Sequence, residues 1–472
     1  MVTDLRIPYS TFMTALLLLL SATIALAQDA HYWDAQYGTR SQLLGGLVVG
    51  APNDLSTTFY NPAWLALEDQ PSVLLTTKTF EAYTLKVENG FGNGTEPTST
   101  KVTPSPGFFG AKFSTNLNND KVAVAFSYLQ KVKFDYNASG VRVDSDAAPP
   151  TDGNFWFSGE AYKVTAVSEY WAGVTFAKRI GDNVYAGVTP FGALRNQSYR
   201  SQISAKGMDS EENFSHAYSM HNADFWHTRL LLKAGLAFDY SPLTFGFTLT
   251  TPSIGLFGDG TAHQDGSLSG IDAFDPAGSP DTFLAVDYQP GLNPTYKSPF
   301  SMAAGAAYQF GNTGIYFSAE WFNTVGKYNL LSPGSFSSQS HPDQVFSYDI
   351  SSSTRSIFNW GLAGSHQFSP RFALYGSFWM DKSNLKPGED PNMMMAFWDL
   401  THLNLGASFD FLNIEFTSGL GYSHGQGTSD HFQSFNSEVN GNVEGSFPAT
   451  DVTFNRLTFL IGFNLPLGSV EN

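Results

Sequence analysis

The chain has 472 residues, 42% of them apolar and only 14% charged, and it includes 41 Phe, 21 Tyr and 9 Trp. A soluble domain carries about a quarter charged residues, and a polytopic helical membrane protein needs repeated apolar runs of roughly 20 residues; a mean hydropathy of -0.16 with one such run excludes the second class and makes the chain unusual for the first. The net charge of -17 argues against nucleic acid or an anionic bilayer surface as partners, and the absence of cysteine removes disulfides, thiol catalysis and thiolate metal sites.

At the start, Arg6 precedes an apolar run over 12–26, and Ala25-Leu26-Ala27 carries small residues at the two diagnostic positions. This is the pattern of a secretory signal peptide, residues 1–27, cut after Ala27. Residues 28–70 do not alternate cleanly. From 71 to 472 the dominant signal is period two, the mark of strands with one greasy face. Leu230 and Leu232 oppose Arg229 and Lys233; Phe245, Phe247 and Leu249 oppose Thr244 and Thr248; Ile315, Phe317 and Trp321 oppose Tyr316, Glu320 and Phe322. Leu374 and Phe378 likewise oppose Tyr375 and Asp381, and Leu457, Phe459, Ile461 and Phe463 oppose Arg456 and Thr458.

The alternation predicts strands near 73–87, 107–115, 120–137, 160–179, 182–201, 223–240 and 242–258, then 297–311, 313–328, 354–368, 371–382, 398–411, 412–424 and 453–467. Tight polar turns at 116–120, 181–183, 240–242, 311–313, 369–370 and 410–413 alternate with long Gly-, Ser-, Asp- and Asn-rich connections such as 143–159, 258–294 and 425–449. A soluble sandwich has no reason to segregate loop length; an outer-membrane barrel has short turns on one rim and long loops on the other. The fold class is therefore all-β, a transmembrane antiparallel barrel of about fourteen strands over 71–472. Such a barrel is too wide for its wall side chains to fill, so residues 28–70 are expected to plug it as an N-terminal hatch.

Within that segment, Gly45-Gly46 and the run Asp54-Leu-Ser-Thr-Thr-Phe-Tyr60-Asn61-Pro62-Ala63-Trp64-Leu65-Ala66 resemble the hatch signature of FadL-type long-chain fatty-acid transporters. Residues 248–261, Ser298-Pro299-Phe300 and Gly305-Ala-Ala-Tyr308 resemble mid-barrel segments of the same family. The resemblance implies an outer-membrane barrel of fourteen strands with a gating hatch built on Asp54, Tyr60, Asn61, Pro62 and Ala63. Two features depart from it. The chain ends Leu465-Pro-Leu-Gly-Ser-Val-Glu-Asn472 and not in an aromatic, and the third strand, which bends inward in the family to open a side exit, has no Gly or Pro over 122–134 to announce a bend.

Function follows from the lumen. The inward aromatics Tyr316, Phe322, Tyr375 and Trp379 suit an apolar passenger, and the inward basic residues Arg195, Arg229 and Lys233 are the candidates for holding a carboxylate, unless they pair with Glu320, Glu415 or Asp381. The expectation is passive outer-membrane uptake of hydrophobic small molecules, fatty acids or similar, by a monomer in contact with outer-membrane lipid, with no cofactor, no metal and no catalysis. Two alternatives come from other classes: a scaffold barrel that docks secreted partners, and a lipid hydrolase using Ser423 of Gly421-Tyr-Ser423-His-Gly425. The second lacks the helix that a nucleophile elbow needs. His216, His221 and His227 are unequally spaced and are expected to be ordinary surface histidines rather than metal ligands.

Overall fold

The computed structural model describes residues 30–67, 71–90, 96–117, 120–143, 155–209, 212–271, 281–386, 398–411, 414–429, 434–437, 443–446 and 450–466. The signal-peptide segment, the turn residues 118–119 and 412–413 and the C-terminal residues 467–472 lie outside the described residues.

In chain order the strands are β1 (Ser72–Val87), β2 (Thr98–Leu117), β3 (Asp120–Val143), β4 (Phe155–Gly181), β5 (Val184–Asp209), β6 (Phe214–Tyr240) and β7 (Leu243–Thr250). There follow β8 (Ile254–Ile271), β9 (Asp281–Leu292), β10 (Ser301–Phe310), β11 (Thr313–Phe322), β12 (Val325–Leu331), β13 (Phe336–Ser337), β14 (Val345–Phe346) and β15 (Ile350–Thr354). The last are β16 (Ile357–Ser369), β17 (Phe372–Asp381), β18 (Asp399–Phe411), β19 (Ile414–Ser429), β20 (Ser434–Ser437), β21 (Val443–Ser446) and β22 (Thr450–Pro466). Fourteen of them, β1–β7, β10, β11, β16–β19 and β22, pair antiparallel in chain order. The ladder from Ser72↔Pro466 to Val87↔Val452 closes the ring.

Alternation sets which side of the wall each residue faces. Leu230, Leu232, Leu236, Phe247, Leu249, Ile315, Phe317, Leu457 and Phe463 are exposed on the outside, whereas Arg229, Lys233, Thr248, Phe322, Tyr375 and Arg456 are buried in the lumen. An exposed apolar belt of this extent is what lipid contact requires. Among the described residues no helix is long and apolar enough to cross a membrane.

Several strands run far beyond the apolar alternation. β4, β5 and β6 have 27, 26 and 27 residues, where a membrane crossing needs about 9–11. The extra length carries polar outward residues such as Asn222 and Asp224, which is why the alternation of greasy residues ends too early to delimit it. The strand expected over 242–258 is also corrected: it breaks at 251–253, where Pro252 sits, and resumes as β8, which pairs with the distal part of β6 and forms a hairpin with β9 inside the supposed loop 258–294. With β12–β15 this hairpin builds a lobe on the long-loop rim, whose own core includes Tyr199, Phe225, Ala262, Leu331 and Ile350.

The third strand does leave its neighbour, without Gly or Pro over 122–134. β2 and β3 pair only from Leu117↔Asp120 to Phe108↔Leu129, and the β3–β4 register shifts by one residue between Gln130 and Val132. The bulge exchanges inward for outward positions: Ala125, Ser127 and Leu129 face the lumen before it, Phe134, Tyr136 and Ala138 after it. The prolines stand on the other side of the break, at Pro104 and Pro106 of β2, where the backbone has no N–H to offer a ladder.

Candidate functional site

Residues 30–67 fill the lumen with irregular backbone, and buried backbone must find hydrogen-bond partners. Inside the segment, the fully buried Asp54 carboxylate accepts from the Ser56 N–H at 2.9 Å, the Ser56 hydroxyl at 2.5 Å and the Ser41 N–H at 3.0 Å, which ties the helical turns Arg40–Leu43 and Thr57–Tyr60 together. Wall side chains supply other partners: Thr189 donates to the Thr58 carbonyl at 3.0 Å, Thr244 to Gly50 at 2.6 Å, Ser377 to Leu43 at 3.0 Å and Asn404 to Gln42 at 2.8 Å.

Asn61, Pro62 and Ala63 sit hard against the wall. The Asn61 amide donates to Val49 O at 2.9 Å and to Leu236 O of β6 at 3.1 Å, its side-chain oxygen accepts from the Ala63 N–H at 3.2 Å, and Pro62 opens the 3-10 turn Pro62–Leu67. The approach is backbone to backbone because three glycines on adjacent strands make room: a Cβ at Gly187 would meet the Pro62 carbonyl, one at Gly235 the Asn61 side chain, and one at Gly246 the Val49 carbonyl. These wall glycines were not among the sequence candidates, although glycine inside an alternating strand is the signal of a close backbone approach.

Ion pairs and tryptophan pin the segment at other points. Arg456 of β22 meets Asp34 at 2.5 Å, Arg40 meets Glu415 of β19 at 2.8 Å, and Trp33 donates its backbone N–H to Asp381 at 2.8 Å and its indole N–H to Glu320 at 2.7 Å. The acids weighed as partners for the inward basic residues are thus engaged with the hatch. Burial pushes the Tyr37 and Tyr60 phenols well above their ordinary range, so both remain hydroxyl groups: Tyr60 donates to Gln36 at 2.8 Å and Tyr37 to the Gln130 carbonyl at 3.0 Å.

Between this segment and the wall lies a cavity of about 90 Å³, lined by Trp33, Phe59, Tyr60 and Gly46 on one side and by Lys131, Trp171, Arg195, Lys233, Tyr296 and Phe322 on the other. It is smaller than the roughly 150 Å³ cavity that admits benzene, so loading requires a part of its wall to move. Arg195 and Arg229 share a carboxylate that the sequence reading did not single out: Glu169 receives Arg195 at 2.8 Å, Arg229 at 2.7 Å and the Trp171 indole N–H at 2.6 Å, with all four side chains buried. Both guanidinium groups also lie on the Tyr296 ring, at 4.1 and 4.5 Å. Lys233 stands apart. Its ammonium faces the Phe59 ring at 4.5 Å, with Lys131 and the Glu320 carboxylate as its charged neighbours on the cavity wall.

Of the sequence candidates the cavity thus collects Tyr60, Arg195, Lys233 and Phe322; Arg229 lies behind Tyr296. Tyr316, Tyr375 and Trp379 face the lumen elsewhere, packed with Leu43, Leu44 and Leu47, and Trp379 stacks on His402 at 4.6 Å. Ser423 lies mid-strand in β19, buried, with its hydroxyl taken by His402 at 2.8 Å and Arg456 at 3.1 Å; no strand-to-helix elbow is present there. His216 lies on the opposite face of β6 from His221 and His227, so the three do not converge.

No family model matches the chain. No curated relative matches it either. Among solved structures, a FadL homologue of Pseudomonas aeruginosa superposes with a TM-score of 0.57 at 13% identity, covering 93% of this chain and 100% of its own. The fold is FadL-type. The Ralstonia pickettii toluene transporter TbuX shares it with a TM-score of 0.54 at 10% identity over 92% of this chain and 99% of its own. The Pseudomonas putida toluene transporter TodX shares it at 0.53 and 12% over 94% and 100%. At these identities the likeness is one of architecture.

Proposed function

We propose that this FadL-type barrel is exported, loses residues 1–27, and acts as a monomer in a Gram-negative-type outer membrane, where it admits hydrophobic molecules bearing a single anionic head, such as fatty acids, without energy input. Export and cleavage are supported by the apolar run over 12–26 that ends in the small-residue triplet Ala25-Leu26-Ala27. Hydrophobic cargo is in keeping with the toluene transporters that share the fold. The anionic head rests on one observation: two ammonium groups, Lys233 and Lys131, border the aromatic cavity beside the Phe59 ring, facing the Glu320 carboxylate, which is itself held by Trp33 and Ser301. Each methylene withdrawn from water contributes about 0.8 kcal/mol, enough for an acyl chain to load spontaneously once the hatch yields.

The test compares a long-chain fatty acid with its methyl ester on wild type and on Lys233→Met, which keeps the side-chain bulk and removes the charge. A charge-assisted hydrogen bond is worth about 1.5–3 kcal/mol, so the acid should bind about tenfold more weakly to the variant and the ester equally well. Equal losses for both would make an uncharged hydrocarbon the passenger.

A further inference from the structure

We infer that the outer flank of the barrel carries a binding site for the sugar head of an outer-leaflet glycolipid, in a polar trough across the extended parts of β3, β4, β5, β6 and β8; the site rests on the outer-membrane placement and is independent of what the lumen carries. Two neighbouring cross-strand rows form the trough. One runs Lys133, Ser168, Asn196, Trp226, Asp259, and the other Asp135, Ala166, Ser198, Asp224, Thr261. These residues border a single space of about 580 Å³.

The rows face away from the lumen, since their neighbours along the strands, Phe134, Val167, Gln197 and Phe225, are buried on its inner side. Those buried side chains also close the wall behind the trough, so it has no path to the luminal cavity. Although they point outward, Lys133, Asp135, Ser168, Asn196 and Asp224 are only partly exposed. The cause is side-chain size. Ala166, Ser168 and Ser198 make a low floor in the middle strands, and the longer side chains of β3, β6 and β8 stand as banks on either side of it.

The trough begins where the apolar belt ends. Just below it the same strands present Tyr128, Tyr170, Leu194, Leu230 and Leu232 outward, and Tyr128 stacks on Tyr170 at 5.9 Å between ring centres. Aromatic rings at this level mark the boundary between hydrocarbon and headgroups. A lipid whose chains lie along Leu230 and Leu232 therefore carries its head to Trp226 and Asn196.

The chemistry of the banks selects that head. Asp135, Asp224 and Asp259 outnumber Lys133, the cation among the lining residues, so the trough repels a phospholipid, whose phosphate sits next to the belt. Sugar hydroxyls suit it: they donate to the carboxylates, and the Asn196 amide both donates and accepts. The Trp226 indole offers a negative face to the C–H edges of a sugar ring. Five strands at a spacing of about 4.8 Å make the trough roughly 19 Å across, the span of several linked sugars, and Lys133 at one end meets an acidic substituent on them.

The test uses the delipidated full-length protein in detergent, with deep-rough lipopolysaccharide as the probe and native mass spectrometry as the readout. Wild type should retain one copy. Ser198→Tyr, which fills the floor of the trough, should bind at least tenfold more weakly, and so should the pair Asn196→Leu, Asp224→Leu, which removes hydrogen-bonding groups and leaves the space open. Thr401→Tyr, on the outward face of β18 in another part of the wall, should bind as wild type does. No retention by wild type, equal retention by all four proteins, or equal retention of dioleoylphosphatidylglycerol by wild type overturns the site. Competition by the deacylated core oligosaccharide as strong as that by the intact glycolipid overturns a membrane lipid as its occupant.

Discussion

The Tyr37 hydroxyl donates to the Gln130 carbonyl at 3.0 Å, at the bulge where β3 parts from β2. Gln130 also holds Tyr170 of β4 through its side-chain amide at 3.1 Å, and Lys131, the next residue, donates to the Tyr32 carbonyl at 2.6 Å. The irregular segment in the lumen thus supplies hydrogen bonds at the place where the wall has lost its ladder, which couples the seating of the hatch to the shape of the break. Tyr37→Phe removes one net hydrogen bond of about 1 kcal/mol. Amide exchange around 30–40 and 128–134 should rise several-fold in this variant while exchange in β16–β18 stays as in wild type. A uniform change across the barrel would show that the bond stabilises the fold generally and does not couple these two places.

The glycines under Asn61 and Pro62 leave no room for a side chain. Gly246→Val should displace Val49 and unseat the hatch, so that cells carrying it admit bulky polar antibiotics and planar-bilayer conductance rises at least several-fold. Ala234→Val, on the outward face of the neighbouring β6, adds similar bulk where space is open and should do neither. A sealed Gly246→Val barrel would mean the hatch has an alternative seat.

Glu169 balances two buried guanidinium groups. Removing one member of a buried ionic cluster costs about 3–5 kcal/mol, so Glu169→Gln should lower the midpoint of urea unfolding, followed by tryptophan fluorescence in detergent, by about 1–5 M for a slope of about 1–3 kcal/mol per M. An unchanged midpoint would show that water or another acid replaces Glu169 in solution.

Orientation in the membrane is open to direct labelling. Tyr288 lies exposed on the lobe built from the long connections, and Asn312 lies in the tight turn between β10 and β11 on the other rim. Tyr288→Cys should react with an impermeant maleimide on intact cells, and Asn312→Cys only after the cells are broken. Reaction of Asn312→Cys on intact cells would invert the topology.

Much of this architecture was legible in the residues because each barrel strand obeys a local rule. One face must satisfy lipid and the other a lumen, so Ile315 and Phe317 against Tyr316 and Phe322 disclose both the strand and its orientation without knowledge of any partner. The same rule fell silent where the strands rise above the apolar belt, since water on the outer face imposes no greasy alternation on Asn222 and Asp224. It was silent too on which acid meets which base. Arg195, Arg229 and Glu169 lie on three strands, and their convergence depends on register and on the curvature of a closed wall.

What the sequence determined by itself, then, was the alternation, the even count of strands, the position of the tight turns and the short run around Asn61 and Pro62 that fills the barrel, since each is a property of neighbouring residues. Only the tertiary structure decided the rest. The seat of Asn61 needs glycines from β5, β6 and β7, the bulge at Gln130 acts with prolines that belong to β2, and the Tyr296 ring lies on arginines of β5 and β6. These features arise between segments distant in the chain, and a contact across the lumen leaves no periodic trace on either partner.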